Sequence, residues 1–356
     1  MELIFNDKQT KFEIFNTAAS APPLHIDSNK SYIIHGDNFE AMAGILNCKS
    51  EFIDLIYIDP PFNTNQSFSF DKDRANAISK SKKGTVAYND IMTNDEYLKF
   101  MYDRFVLMYD LLSEKGSIYV HIDTKMGHYV KLILDEIFGL KNYKNDITRI
   151  KSNPKNFDRR AFGNEKDMIL FYSKNYQKNI WNDVRVELKE NEIKDKFNKI
   201  DDQGRRYTTI PLHAPGETEN GVTALEWRGM SPPNGRHWRT SPDEFERMDI
   251  AGDIEWSKTG NPRIKKYADE HKGKKIQDVW VYKDPQKPSY PTQKNSSMLE
   301  MIIAQSSNPD SIVMDCFAGS GTTLLAAAKL GRKFIGIDSS EASLNLIKNK
   351  NINLIV

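Results

Sequence analysis

The chain has 356 residues, of which 39% are hydrophobic and 28% charged, and its formal net charge is +1. This length supports a full core in one large domain or two, and no apolar run approaches the ~20 residues that cross a bilayer, which predicts a soluble protein with no membrane partner. The chain has only two cysteines, Cys48 and Cys316, which exclude a disulfide framework and a thiolate metal cluster. Its start shows no features of a secretory signal. We therefore expect a cytoplasmic protein that holds no metal.

Five apolar runs share one form, because each ends at or near an aspartate. They are "YIIHGD", "IDLIYID", "GSIYVHID", "SIVMDCF" and "KFIGID", with Asp37, Asp59, Asp123, Asp315 and Asp338. Continuous apolar character is typical of a parallel strand that helices cover on both faces. We therefore predict parallel strands with acids at their carboxyl ends. For any single acid, a helix cap or a turn former is the ordinary alternative.

Helical segments separate these runs. One opens at Thr93 and Glu96, which fit a capping box, and continues with apolar residues three and four apart, a spacing that indicates core packing. Another is predicted from about Ser320 to Leu330. Alternating strands and helices predict an α/β protein with a doubly wound, mostly parallel sheet, in which ligands bind beyond the carboxyl ends of the strands.

The stretch "FAGSGT" joins a predicted strand to a predicted helix through a tight glycine turn. Gly319 and Gly321 allow the backbone to approach a ligand closely, and the following helix offers unpaired N–H groups. Asp338 ends the next strand, where it can accept hydrogen bonds from ribose hydroxyls. The pattern predicts a nucleoside-cofactor site. A dinucleotide stays an alternative at this point, although Leu324 stands where the dinucleotide fingerprint has a third glycine.

The stretch "DPPF" stops a buried strand with an acid, two prolines and an aromatic residue, and "YPTQK" at 290–294 precedes the glycine turn. In this order the motifs resemble the β-group of amino DNA methyltransferases, including the Mod subunits of type III restriction-modification systems. The resemblance covers about residues 30–175 and 286–345. It implies S-adenosylmethionine as the cofactor and the fold of the methyltransferases that use it, circularly permuted, with an inserted target-recognition region.

The resemblance assigns the catalytic loop to Asp59, Pro60, Pro61 and Phe62. The Asp59 carboxylate and the Pro60 carbonyl oxygen would accept hydrogen bonds from the target amino group, and neither proline has an N–H that competes for these acceptors. Phe62 stands where most relatives have tyrosine and would stack on the flipped base. Phe171 or Tyr172 is a candidate second aromatic, with an ordinary β-strand as the alternative.

The cofactor residues that the resemblance implies come from both ends of the chain, which would therefore build one pocket. They are Asp37, Asn38, Thr292, Lys294, Asp315, Phe317, Ala318, Gly319, Gly321 and Asp338. The first two would contact the adenine of the cofactor, while Thr292 and Lys294 would lie near its methionine carboxylate. Cys316 and Asn295 stand where relatives usually have proline, which weakens the local rigidity expected of these motifs.

The resemblance also divides the chain into residues 1–175 and 286–356, the two parts of the catalytic core, and residues 176–285, the target-recognition region. In this middle region, basic residues interleaved with aromatic ones suit phosphate contacts and base stacking, which a near-neutral overall charge does not exclude. The predicted DNA-binding residues are Arg228, Arg236, Trp238, Arg239, Lys265 and Lys266. A solvated charged face is the alternative. The histidines of this region lack metal-ligand spacing.

The resemblance favours a DNA adenine-N6 methyltransferase that acts on double-stranded DNA by base flipping. It would belong to a restriction-modification system with a cognate endonuclease, or act as an orphan enzyme. Cytosine-N4 methylation is the nearest alternative, and Asp59 favours adenine because the cytosine enzymes more often have serine there. A non-catalytic DNA-binding module and a nicotinamide-dependent oxidoreductase are alternatives of other classes. Relatives often pair, so a homodimer is a further expectation.

Overall fold

The computed structural model describes residues 2–61, 66–71, 74–76, 85–90, 92–152, 160, 162–285 and 294–349. The chain divides into two compact units. The first unit is Met1–Val184 with Gln277–Val356, and the second unit is Arg185–Ile276. The predicted site residues Phe62 and Thr292 lie outside the described residues.

Helices and strands alternate along most of the first unit, whereas short strands dominate the second. The helices are α1 (Lys11–Ala18), α2 (Asn38–Leu46), α3 (Asn94–Leu111), α4 (Gly127–Phe138), α5 (Glu190–Lys196), α6 (Pro242–Ile250), α7 (Ser296–Ser306), α8 (Thr322–Lys329) and α9 (Glu341–Lys348). The strands are β1 (Tyr32–His35), β2 (Ile53–Ile58), β3 (Gln66–Asp71), β4 (Arg74–Asn76), β5 (Thr85–Asp90), β6 (Leu112–Ile122), β7 (Tyr143–Ile150), β8 (Lys166–Ser173), β9 (Arg185–Val186), β10 (Lys199–Ile200), β11 (Arg206–Pro211), β12 (His213–Pro215), β13 (Arg236–Trp238), β14 (Ile254–Trp256), β15 (Pro262–Tyr267), β16 (Lys274–Lys275), β17 (Val279–Val281), β18 (Ile312–Asp315) and β19 (Lys333–Asp338).

The first unit contains an eight-stranded sheet in the order β1-β19-β18-β2-β6-β8-β7-β17. Neighbours from β1 to β6 pair in parallel, β8 runs antiparallel to both β6 and β7, and β17 is parallel to β7. Strands from both ends of the chain are thus adjacent in one sheet. The predicted doubly wound, mostly parallel α/β fold is confirmed, and the five predicted acid-ended runs are its five parallel neighbours.

Helices cover both faces of this sheet. On one face, α2, α3 and α4 bury apolar residues against Ile56, Val120 and Ile337. On the other face, the Tyr119 hydroxyl hydrogen-bonds the Ser306 hydroxyl of α7 at 2.8 Å, and α8 packs on β19. The predicted capping box at Thr93 begins α3, and its apolar stripe is buried as expected for core packing. Each such side chain contributes about 1.5–3 kcal/mol through burial.

The second unit is built on a four-stranded antiparallel sheet in the order β10-β11-β15-β14, with β12 and β13 forming a separate two-stranded sheet. A small core holds this unit together. Its buried members are Leu212, Trp227, Trp238, Phe245, Ile254 and Ile264. Helix α6 begins at the N-cap Ser241, whose hydroxyl accepts from the Glu244 N–H, and supplies Phe245 to this core.

No helix in the described part of the chain combines the length and the apolar character that crossing a bilayer requires. The same residues contain no cluster of three or more histidine, cysteine or acidic side chains placed to hold a metal ion.

Candidate active site

The acids at the carboxyl ends of the parallel strands lie along one edge of the central sheet, because the strands are in register: His35 pairs with Asp338, and Asp315 with Gly336. Four of these acids make the same local contact, accepting the backbone N–H two residues ahead. The pairs are Asp37 with Phe39 at 2.8 Å, Asp123 with Lys125 at 3.0 Å, Asp315 with Phe317 at 3.0 Å and Asp338 with Ser340 at 2.8 Å. The turn-forming alternative therefore describes one function of each of these four carboxylates.

Asp59, which follows β2, departs from this pattern. The residue two positions ahead is Pro61, which has no N–H to donate. Instead, Asp59 Oδ2 pairs with the Lys294 ammonium at 2.8 Å, and the two side chains are 16% and 9% exposed. Asp59 Oδ1 is buried and has no hydrogen-bond donor among the described residues. The carboxylate thus has one oxygen held by a cation and one desolvated oxygen to which no described residue donates.

The start of α7 fixes the position of Lys294. Asn295 follows it directly and is the N-cap of α7, with its side-chain oxygen accepting from the Met298 N–H at 3.2 Å. The Asn295 amide also donates to the Lys283 carbonyl at 3.0 Å. Asn295 stands where relatives usually have proline, and the cap supplies an ordered helix start by a different route.

A buried chain of hydrogen bonds begins at Tyr57, which lies on the same face of β2 as Asp59 because side chains alternate along a strand. The Tyr57 hydroxyl contacts His121 Nδ1 at 2.8 Å, and His121 Nε2 contacts Asp167 Oδ2 at 3.2 Å. Asp167 also accepts from Lys151 at 2.6 Å and from Arg149 at 3.4 Å. We call Tyr57, His121, Asp167 and Arg149 the polar layer. It crosses β2, β6, β8 and β7 below the edge of the sheet.

The charges within the polar layer assign its hydrogen-bond directions. Burial favours a raised pKa for Asp167, but the contacts from His121 and Lys151 outweigh it and hold this pKa well below its usual range. Burial and the nearby Lys294 ammonium lower the pKa of His121, which is therefore neutral. A neutral His121 must donate from Nε2 to the Asp167 carboxylate, so its Nδ1 accepts from the Tyr57 hydroxyl.

The glycine turn after β18 brings the backbone close to the end of β19. Gly319 and Gly321 have φ angles of 49° and 71°, a left-handed conformation that favours glycine. The Gly319 N–H donates to Asp338 Oδ2 at 2.7 Å, so this predicted ribose acceptor also closes the turn. Asp315 lies below the turn, where burial, together with repulsion from Asp59 and Asp338, raises its pKa to about 7.

Close packing of α8 on β19 depends on a glycine that sequence reasoning did not single out. A Cβ atom built on Gly336 would lie 2.4 Å from Leu324 Cδ1. Leu324 occupies the third glycine position of the dinucleotide fingerprint, where a small residue normally lets the helix approach the strand. In this chain the small residue is Gly336 on β19, and the side chain that fills the space is Leu324 on α8.

The two ends of the chain meet at the glycine turn, as predicted. The Asn38 amide donates to the Cys316 carbonyl at 2.8 Å, and Asn38 accepts from the Arg104 guanidinium. Arg104 also pairs with Asp37 Oδ2 at 2.9 Å and lies over the Phe100 ring, 3.6 Å from its centroid. Sequence reasoning missed Arg104. The available signal was a charged residue within the apolar stripe of α3.

The remaining predicted residues of the first unit have mixed surroundings. Phe317 is half-buried, its ring 6.0 Å from that of Phe100, and the Ala318 N–H donates to the Ile337 carbonyl at 3.1 Å. Phe171 and Tyr172 are both buried in β8. Phe171 stacks on the Tyr119 ring at 4.3 Å, and the Tyr172 hydroxyl donates to Asp135 at 2.7 Å. The ordinary-strand alternative describes both residues.

The second unit carries a cluster of cations around His213. Burial and the charges of Arg236, Arg239 and Arg263 lower the pKa of His213. Among the described residues, none of the three arginines forms an ion pair. They contact neutral groups: Arg236 the His213 ring at 3.2 Å, Arg239 the Pro211 carbonyl at 3.0 Å and Arg263 the Thr209 hydroxyl at 2.8 Å. We call His213, Arg236, Arg239 and Arg263 the arginine cluster.

Two predicted DNA-binding residues of this unit have structural partners instead. Trp238 is 4% exposed in the small core and its ring N–H donates to the Leu225 carbonyl, so this structure uses the residue for packing, and its contact with DNA stays a prediction. Arg228 is exposed but forms ion pairs with Glu246 and with Asp249. Lys266 is exposed on β15, while the Lys265 ammonium lies 5.2 Å from the centroid of the Tyr207 ring.

Comparisons with known proteins identify the family. Type II methyltransferase M.EcaI of Enterobacter cloacae is 42% identical over 292 residues, which cover 80% of this chain and 62% of that protein. The StyLTI Mod subunit of a type III restriction-modification enzyme, from Salmonella typhimurium, is 24% identical over 338 residues, covering 86% of this chain and 51% of the subunit. This chain therefore spans between about half and three fifths of these two relatives' lengths.

Among solved structures, the cytosine-N4-specific PvuII DNA methyltransferase aligns with a TM-score of 0.50 at 13% identity, over 95% of this chain and 92% of that chain, and so shares the fold. A family model for the N6/N4 methyltransferases, described as DNA methylase, matches residues 53–349. This match includes "DPPF", the glycine turn and the middle region. The chain therefore belongs to the N6/N4 DNA methylase family.

Proposed function

We propose that this chain is a site-specific DNA methyltransferase that transfers a methyl group from S-adenosylmethionine to the N6 amino group of adenine in duplex DNA. One observation carries the proposal: the "DPPF" acid and the glycine turn follow β2 and β18, which are adjacent parallel strands ending at the same edge of the sheet. Ligands of such sheets bind at this edge. Restriction-modification relatives support a cellular role beside a cognate endonuclease, or alone, in the cytoplasm.

The residues at the edge suit a nucleoside cofactor. The acids Asp37 and Asp338 provide acceptors for polar groups, the half-buried Phe317 provides an apolar ring, and α8 begins at the left-handed Gly321 with its N–H groups at the turn. S-adenosylmethionine would supply an activated methyl group on a sulfonium. We propose that Asp37, Asn38, Phe317, Gly319 and Asp338 hold it. Thr292, outside the described residues, stays a predicted contact.

Asp59 and Pro60 would prepare the nucleophile. An adenine amino nitrogen reacts poorly because its lone pair is delocalised into the ring. Two acceptors, the Asp59 carboxylate and the Pro60 carbonyl, would shift the nitrogen towards tetrahedral geometry and leave its lone pair aimed at the methyl group, so catalysis comes from positioning and oriented dipoles. The target base must leave the duplex, at a cost of a few kcal/mol. Phe62, also outside the described residues, stays the predicted stacking partner.

The methylated base decides between the two activities of the family. Wild-type protein, incubated with duplex DNA and S-adenosylmethionine, should yield N6-methyladenine in nucleoside digests analysed by mass spectrometry. A product consisting of N4-methylcytosine alone would reject adenine and retain the family activity. The Asp59→Ala variant should bind the cofactor within a few-fold of wild type and lose methyl transfer by about 10²–10³-fold or more. A variant with unchanged activity would rule out this role for Asp59.

We also propose that the arginine cluster contacts DNA phosphates. Guanidinium groups without carboxylate partners keep their charge available to a polyanion, whereas Arg228 and Arg205 are already neutralised by neighbouring acids. Lys266 and Lys265 are weaker candidates on β15. Each phosphate contact contributes about 0.9 to the slope of log affinity against log salt.

The salt dependence of DNA binding tests this surface. Replacing Arg236, Arg239 and Arg263 together by glutamine should lower the slope by about 3 while shifting affinity for specific and unrelated DNA alike. Arg205→Gln is the matched control, because Arg205 lies in the same unit but pairs with Asp269 and Glu270. An equal slope in the triple variant and in wild type would remove the cluster from the DNA surface.

A further inference from the structure

The two oxygens of Asp59 have different surroundings, and Lys294 makes the difference. Its ammonium contacts Oδ2 at 2.8 Å in a pair that is largely buried. The cap formed by Asn295 fixes the backbone next to Lys294 at the beginning of α7. A charge-assisted hydrogen bond of this kind holds a carboxylate in a single orientation more firmly than contacts with solvent do.

The second oxygen, Oδ1, has no donor among the described residues although it is shielded from water. A buried acceptor without a donor is costly, and in a folded protein such an atom calls for a functional explanation. The local sequence produces it. The acids of the four neighbouring strands use the N–H two residues ahead, and Pro61 removes that donor from Asp59.

Within the described ranges, Lys294 is the cation that forms an ion pair with Asp59. The charges of Asp59 and Asp338 both contribute to the raised pKa of Asp315, and burial and the Lys294 ammonium lower the pKa of His121. Asp59 is therefore placed among other acids, with the Lys294 ammonium as the opposing charge that contacts it directly. Removing that ammonium would leave the carboxylate free to rotate and next to like charges.

We propose that Lys294 is a positioning residue for methyl transfer: it holds Oδ2 of Asp59 so that Oδ1 is the oxygen that accepts the target amino group. This inference rests on the proposed function, and it gives Lys294 a different partner from the cofactor carboxylate that the family resemblance implies. The two roles predict different kinetics. A positioning residue acts on the rate of the chemical step, whereas a cofactor ligand acts on cofactor affinity.

Single-turnover methyl transfer to duplex DNA, at saturating DNA and S-adenosylmethionine, separates these roles. Lys294→Met should lower the rate constant by about 100-fold, the usual effect of a misplaced reacting group, while calorimetry gives a cofactor Kd within about threefold of wild type. Lys294→Arg, which restores a cation, should recover at least part of the rate. Lys329→Met is the matched control, because Lys329 of α8 also pairs with an acid, Glu300 of α7, but is exposed, and both quantities should be unchanged.

The proposal is overturned if the rate constant of the Lys294→Met variant stays above about one tenth of the wild-type value. If the Kd of that variant for the cofactor is then raised, Lys294 is assigned to cofactor binding. A rate constant below that level with cofactor binding retained supports it. If Lys294→Met does not fold, Lys294→Gln, which keeps an N–H donor without the charge, is measured by the same criterion. Absence of DNA methylation by wild-type protein would instead refute the proposed function, so the two failures are distinguishable.

Discussion

The charge state of Asp315 predicts how the stability of this protein depends on pH. Asp315 is 2% exposed at the end of β18, and burial, with repulsion from Asp59 and Asp338, raises its pKa to about 7. Its Oδ1 accepts from the Phe317 N–H, a contact that the side-chain oxygen of asparagine can also make. Asp315→Asn therefore removes the titration while keeping the hydrogen bond.

The size of the effect follows from linkage. The ordinary pKa of an aspartate, 3.8, applies to the unfolded chain, so between 3.8 and about 7 the folded protein binds more protons than the unfolded chain does. The free energy of unfolding therefore falls as pH rises through this window, by about 1.4 kcal/mol per pH unit. From pH 5 to pH 8, wild type should lose about 3 kcal/mol through Asp315, and the variant should not.

Urea denaturation at pH 5, 6, 7 and 8 measures this difference. Other acids contribute to both proteins, so the quantity of interest is the gap between wild type and Asp315→Asn at each pH. Asp310→Asn is the control, since Asp310 is exposed just before the same strand and asparagine tolerates its φ of 63°. A gap that stays constant from pH 5 to pH 8 would contradict a buried, protonated Asp315.

Three further substitutions test packing and the meeting of the chain ends. Gly336→Ala should lower the free energy of unfolding by about 1–3 kcal/mol, because its Cβ would meet Leu324, and Leu324→Ala in the same chain should relieve part of that loss; urea titration of the single and double variants measures both. Asn38→Ala removes the donor to the Cys316 carbonyl and should cost about 1–3 kcal/mol in stability and weaken cofactor binding in calorimetry. Trp238→Ala should destabilise the second unit by about 3–5 kcal/mol in thermal or urea melts, and a variant with wild-type stability and weaker DNA binding would support the predicted stacking on DNA instead.

The sequence was sufficient to predict the five neighbouring parallel strands of the sheet, because these strands are continuous apolar runs, a pattern that depends on local composition. The acids at the strand ends follow from the same local reading, and four of them form the turns that their residue type favours. The sequence also distinguishes Asp59 from the other acids, because the residue two positions ahead is Pro61, which has no N–H to donate.

Packing between distant elements could not be predicted in this way. The close approach of α8 to β19 needs a small residue somewhere at the contact, and only the three-dimensional register shows that Gly336 provides it opposite Leu324. The role of Arg104 was also hard to predict, because it depends on contacts with residues distant in the sequence. An arginine in an apolar stripe is unusual, but its partners Asp37 and Asn38 lie far away in the chain.

Surface composition was the least reliable guide, because it does not distinguish a charged or aromatic residue at the surface from one used inside a unit. Along β13 the exposure falls from Arg236 to Trp238, so one short strand supplies both a cation of the arginine cluster and a core residue. Arg228 is also exposed, yet nearby acids neutralise it. For a polyanion to bind, a cation must be accessible and must lack an acidic partner. Arg236, Arg239 and Arg263 meet this criterion among the described residues, and sequence reasoning named the first two and missed the third.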